Sequence, residues 1–192
     1  MKHYLLLATL LIFSISCKNK EETKTVPQET VSTEITDVNE APATIPDTET
    51  TIFYLIRHAE EIRTNPNDKN PILNVEGINR ARNLATYFER NRIDNLYVTK
   101  YLPTRQTVTP ISQQKMLKKV YYNPDRFDAV KFMEENKGKT ALIVGQRNEI
   151  PIIVNNLIGE EKYQEMADLD YATLYKVTIQ GDNKNVETLT MQ

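Results

Sequence analysis

The pattern of apolar and polar positions divides the chain near residue 50. Lys2 and His3 precede a largely apolar stretch, Tyr4 to Ile15, which is too short to span a bilayer in a mature protein and reads as the core of a signal segment. Lys18 to Thr50 mixes Thr, Glu, Lys and Pro with no aromatic residue, no glycine and no apolar periodicity. Such a segment cannot bury enough surface to offset its ordering entropy, and Pro27, Pro42 and Pro46 keep it extended. Periodicity begins at about Thr51. Ile52 to Ile56 is a continuous apolar run, β-branched and aromatic, that stops at Arg57-His58. It predicts a strand covered on both faces in a parallel sheet.

Further along, Asn74 is a helix cap, and Val75, Ile78, Ala81, Ala85 and Phe88 predict one face of a helix ending near Arg90. Asn95 to Thr99 reads as a second strand. Thr104 to Lys115 reads as a helix entered from Pro103 and bent or shortened by Pro110. A short strand at Val120–Tyr122, a helix over Arg126–Asn136, a fully buried strand at Lys139–Gly145 and a helix over Asn148–Leu157 follow. Tyr171–Ile179 and Val186–Met191 alternate apolar and polar, predicting a closing hairpin around Gly181-Asp182. Strands alternating with helices predict a three-layer α/β/α fold, its sheet mostly parallel with helices on both faces. The expected organisation is a signal segment over residues 1–16, a linker over 17–50 and one domain over 51–192.

Composition narrows the chemistry. A net charge of -2 gives no electrostatic case for nucleic acid or for an anionic membrane surface. The mean hydropathy of -0.52 fits an ordinary domain diluted by the polar linker. There is no glycine-rich phosphate loop, no Cys/His metal spacing and no Gly-x-Ser-x-Gly elbow, so neither a cofactor nor a metal is implied.

Ligands of such sheets gather at the carboxyl ends of strands, where Arg57-His58 falls. Arginine presents a fork of donors matched to phosphate or carboxylate, and neutral imidazole is a nucleophile. Two solvated residues ending a strand are the plain alternative.

Two resemblances sharpen this. Ser14-Ile15-Ser16-Cys17 resembles a bacterial lipobox, with Ser14 where leucine is usual; this implies cleavage before Cys17, its acylation, and an extracytoplasmic protein anchored to a bacterial membrane. Cys17 is the only cysteine, and acylation removes a lone thiol that would be a liability in an oxidising compartment.

The second resemblance lies in the domain. Ile56-Arg57-His58-Ala59-Glu60 resembles the Arg-His-Gly signature of the histidine phosphatase (phosphoglycerate-mutase-like) superfamily, in a short Arg-His-Ala-Glu form. Leu73 to Gly77 resembles the family's Leu-Thr-x-Glu-Gly helix start. Leu96 to Thr107 resembles its second motif, usually Tyr-Ser-Ser/Thr-x-x-Lys-Arg-Thr-x-Gln-Thr. Ala141 to Asn148 resembles its third, usually Val-x-Val-Val-Gly-His-Ser-Asn. The likeness runs through nearly all of residues 52–190, most closely to short single-domain bacterial members. It implies that His58 attacks phosphorus and that Arg57 binds the phosphoryl group beside it. In the family a second arginine and a second histidine complete the oxygen contacts, and an acid protonates the leaving oxygen.

The sequence departs from this pattern twice. Pro103 stands at the second arginine and Gln146 at the second histidine. The chain has two histidines, and His3 lies in the signal segment, so the mature protein keeps only His58. Losing one transition-state donor costs about 10²–10³ in rate; losing two costs roughly 10⁴ or more, not additively. Gln146 still offers an amide hydrogen bond, and Arg147 would restore charge if it pointed inward beside His58. Arg105 is a poorer substitute, because residues two apart on a helix face different ways. A helix N-terminus near Asn148 would suit an anion. Asp125 and Asp128 are the candidate leaving-group acids, and both equally fit helix first-turn acids.

Three readings follow: a degenerate site binding a phosphorylated small molecule or protein with little turnover, a phosphomonoesterase working through phospho-His58, and a scaffold with a vestigial pocket.

Overall fold

The computed structural model describes residues 49–192. The expectations for the signal segment, for Cys17 and for most of the linker fall outside the described residues. In chain order the elements are β1 (Thr50–Arg57), α1 (Val75–Tyr87), β2 (Asn95–Val98), α2 (Leu102–Thr107), α3 (Thr109–Lys115), β3 (Lys119–Tyr121), a 3-10 turn (Pro124–Arg126), α4 (Ala129–Glu135), β4 (Thr140–Gly145), α5 (Glu149–Ile158), β5 (Thr173–Gln180) and β6 (Asn183–Thr190).

Six strands form one sheet in the order β3-β2-β4-β1-β5-β6. The pairs β3–β2, β2–β4 and β4–β1 are parallel, and β1–β5 and β5–β6 are antiparallel. β1 therefore has one parallel and one antiparallel neighbour. Its continuous apolar run has the expected cause, since successive side chains point to opposite faces and both faces are covered. Tyr54 and Ile56 join Leu84 and Phe88 from the α1 side and Val108 and Ile111 from the α2–α3 side. Phe53 and Leu55 join Phe132 of α4 and Ile150, Ile153, Val154 and Leu157 of α5.

Three elements differ from their sequence-based outlines. The buried face of α1 is Gly77, Ala81, Leu84 and Ala85, with Phe88 buried at its end. Val75 and Ile78, expected on that face, are 69% and 43% exposed. The helix is rolled because the segment after His58 packs directly on Gly77: a Cβ there would lie 2.0 Å from the Glu60 carbonyl oxygen. The predicted Thr104–Lys115 helix is two helices meeting at Val108, since Pro110 cannot donate to the carbonyl four residues back. The predicted Arg126–Asn136 helix starts later, at Ala129. Phe127 is extended and its ring packs 5.0 Å from Phe132, and Asp128 caps α4 by accepting from the Lys131 N–H. The closing hairpin forms around Gly181-Asp182, with Gly181 at φ 56°, a conformation that favours glycine.

Candidate active site

The strand order sets β1 beside β4 with Arg57 opposite Gly145. The Arg-His pair and the Gly145-Gln146 corner therefore leave the sheet together. The His58 N–H donates to the Gly145 carbonyl at 2.9 Å, carrying the pairing one residue beyond the strand.

The turn after His58 is fixed from two directions. The Ala59 N–H donates to Thr107 Oγ1 at 2.9 Å, and that hydroxyl donates to the Pro103 carbonyl at 2.7 Å. The Glu60 carbonyl accepts from the Asn74 N–H at 3.0 Å, above Gly77. The Glu60 carboxylate is held by Arg80, whose Nε and Nη2 donate over 2.7–3.0 Å. Leu73 N–H donates to Gln106 Oε1 at 2.8 Å. Thr107, Gln106, Asn74 and Gly77 thus do structural work in the motifs that resemble the family's: they hold His58 in place.

His58 is 1% exposed. Its Nδ1 lies 2.8 Å from the Ala59 carbonyl oxygen. A carbonyl only accepts, so Nδ1 carries the proton of the neutral ring and Nε2 keeps a lone pair. Nε2 is 3.8 Å from Glu61 Oε2. Burial lowers the ring's pKa, Arg57 lowers it further, and the Ala59 carbonyl, Glu61 and Gln146 pull the other way. Because the folded value is depressed below 6.5, the stability His58 contributes is present above pH 6.5 and is lost as pH falls through the folded value. An NMR titration of the His58 ring is expected to show a midpoint below 6.5; a midpoint at or above it would contradict the buried, neutral ring.

Arg57 is 2% exposed. Its Nη1 donates to the carbonyls of Asp168 at 2.7 Å, Asp170 at 3.3 Å and Ala167 at 3.4 Å. The guanidinium lies 4.0 Å above the Tyr171 ring. Its Nε is buried with no partner among the described residues. The same segment takes two more arginines. Arg63 Nη1 donates to Asp168 Oδ2 at 2.8 Å, and Arg147 Nη1 meets Glu165 Oε1 at 2.9 Å. Arg63 holds the Asp168 carboxyl below its usual range. Arg147, expected to restore charge if it pointed inward, is thus committed at the surface to Glu165, with a side chain 43% exposed.

Pro103 and Gln146, the two departures, line one cavity of about 550 Å³. Glu61, Asp68 and Glu149 share that lining with Lys69, so carboxylates outnumber ammonium groups there. The helix N-terminus near Asn148, expected to suit an anion, is covered from within: Glu149 Oε2 accepts the Gln146 N–H at 2.9 Å. Burial raises the Glu149 pKa, with a smaller push from Asp125.

Of the two candidate acids, Asp128 is spent as the cap of α4. Asp125 is exposed and lines the neighbouring cavity with Glu149. Sequence reasoning passed over Glu149, Arg63 and Tyr171. Only Glu149 had a signal, its place three residues after Gln146 at a helix start. Among the described residues no group of three His, Cys, Asp or Glu side chains is arranged to hold a metal ion.

A mixed sheet between helical layers, with a buried Arg-His pair at the carboxyl edge, defines the phosphoglycerate-mutase-like class of fold. The family model described as histidine phosphatase superfamily (branch 1) matches residues 53–125. Similar solved structures include the protein histidine phosphatase SixA complexed with tungstate, at 13% identity and TM-score 0.58, covering 72% of this chain and 96% of that one. A phosphoglycerate mutase from Bacillus anthracis str. Sterne matches at 15% identity and TM-score 0.57, covering 74% and 94%. A phosphoserine phosphatase from Entamoeba histolytica in complex with 3-phosphoglyceric acid matches at 12% identity and TM-score 0.57, covering 74% and 98%. No curated protein matches the chain by sequence. The family model covers less than half of the chain, and at 12–15% identity these structures show a shared fold.

Proposed function

We propose that this protein is a membrane-anchored histidine-phosphatase-like lipoprotein whose degenerate site binds a phosphorylated ligand or partner with little or no turnover. The observation that carries the reading is the charge around His58. Arg57 is the buried cation beside it, Arg63 and Arg147 are engaged by Asp168 and Glu165, and Pro103 and Gln146 bring no charge to a cavity edged by Glu61 and Glu149. Phosphoryl transfer depends on positioning and charge neutralisation, so this set is better suited to holding a phosphoryl group than to moving it. The buried Nε of Arg57, without a partner among the described residues, supplies a donor for an anion. Acylation at Cys17, with the linker as a tether, would place the domain outside the cytoplasm.

One observation favours the alternative, a phosphomonoesterase acting through phospho-His58. The Nδ1 contact to the Ala59 carbonyl leaves the Nε2 lone pair free to attack. Both readings meet one experiment on the full-length chain. Ethyl phosphate is expected to bind, and Arg57→Lys to weaken binding about tenfold or more, because a lysine cannot reproduce the fork. p-Nitrophenyl phosphate hydrolysis is expected not to exceed that of His58→Ala. Turnover near 1 s⁻¹ or faster, abolished by His58→Ala, would replace the binding reading with the enzymatic one.

A further inference from the structure

We propose that the cavity adjoining the His58 site receives the ammonium group of a small zwitterionic phosphate monoester, an inference that rests on the phosphate-binding reading above. The cavity has a volume of about 450 Å³ and lies where β2 and β3 end, on the same sheet edge as His58. It shares Tyr101 and Glu149 with the cavity lined by Pro103 and Gln146. One ligand can therefore extend from one cavity into the other. A volume of this size suits a small molecule.

The lining fits a cation. Tyr101, Tyr121 and Tyr122 supply aromatic rings, whose faces attract ammonium groups. Asp125 and Glu149 supply carboxylates, against one lysine, Lys100. The Tyr122 hydroxyl is buried without a hydrogen-bond partner among the described residues. It converges with Glu149: a Cβ on Gly145 would lie 2.5 Å from Tyr122 Oη and 3.0 Å from Glu149 Oε2. Glycine at the end of β4 lets the unsatisfied hydroxyl and the half-buried carboxyl pack closely against the strand. Across the two cavities, Glu61, Asp68, Asp125 and Glu149 face Lys69 and Lys100. A phosphate dianion entering past these carboxylates binds more weakly than its contact with Arg57 alone would allow. A ligand with its own ammonium group offsets that repulsion and places each charge beside its opposite.

Calorimetric titration of the full-length chain with 2-aminoethyl phosphate and with ethyl phosphate tests this directly, since the two ligands differ only by the ammonium group. The aminoethyl ester is expected to bind about five- to tenfold more tightly, the size of a partly screened charge pair. Glu149→Gln and Asp125→Asn are each expected to reduce that ratio towards one. Asp125 is exposed, so its exchange leaves the fold intact, which far-UV circular dichroism checks. Equal affinity for the two phosphates in the unaltered protein would overturn the proposal and leave the phosphate-binding reading standing. A preference that survives both substitutions would overturn the assignment to this cavity. Binding of neither ligand would overturn the proposal together with the reading beneath it.

Discussion

Pro103→Arg combined with Gln146→His is expected to raise phosphomonoester hydrolysis by at least about 10²-fold, and by up to roughly 10⁴-fold if both restored donors reach the transferring group. The geometry for the gain is in place. Both positions line one cavity beside His58, and the lone pair of His58 is already on Nε2 by virtue of the Ala59 carbonyl. Pro103 lies in the first turn of α2, where the helix makes no demand for a proline, so an arginine keeps the backbone. The measurement is kcat for p-nitrophenyl phosphate in the two single variants and the double variant, each against the same protein carrying His58→Ala. A much larger gain in the double variant than the singles predict would mean that the two groups act on one phosphoryl oxygen set. An inactive double variant would show that the surrounding carboxylates, Glu61 and Glu149, still outweigh the added charge, and Glu61→Gln would then be the next substitution.

Gly77→Ala is expected to destabilise the domain by about 3 kcal/mol, the upper range for an overpacked site, and to lower its unfolding midpoint by roughly 10 °C. The reason is that the new methyl group meets backbone. It would lie 2.0 Å from the Glu60 carbonyl oxygen and 2.9 Å from both Glu60 C and Glu60 N. No rotamer change relieves such a contact, so either α1 or the segment after His58 has to move. Movement of that segment loosens the Ala59–Thr107 hydrogen bond and admits water to His58. The His58 titration midpoint should then rise towards its ordinary value of 6.5. Thermal unfolding and the NMR titration read the two effects separately. A variant with unchanged unfolding and an unchanged midpoint would mean that the helix and the turn part without cost.

Much of this molecule could be read from local pattern. The unbroken run Ile52–Ile56 and its partner Ala141–Val144 carry the cause of their burial in their composition, because a strand with no polar position must be covered on both faces. Their adjacency, and with it the meeting of Arg57-His58 and Gly145-Gln146, came from the strand order of the folded sheet. The loss of the second histidine was a matter of counting. Asn74 as a cap, Pro110 as a helix breaker and the Gly181-Asp182 turn were all set by the chemistry of single residues.

What pattern misplaced depended on contacts between distant segments. Helical spacing put Val75 and Ile78 on the buried face of α1, yet the close approach of Glu60 to Gly77 turned both outward. Asp125 and Asp128 were equivalent as acids in the sequence. Only the fold separates them, one at the rim of a cavity and the other spent as a helix cap.

The sequence by itself determined the alternation of strands and helices and the position of Arg57-His58 at the end of a buried strand, because these depend on residue identity and short-range periodicity. The tertiary structure alone decided how the charges are used. Arg57, Arg63 and Arg147 are far from residues 165–170 in sequence, so nothing local indicates that Asp168, Glu165 and three backbone carbonyls engage them. Charge pairing is a property of distance in space, and it is this pairing, with Glu61 and Glu149 at the cavity wall, that leaves His58 with one buried cation beside it.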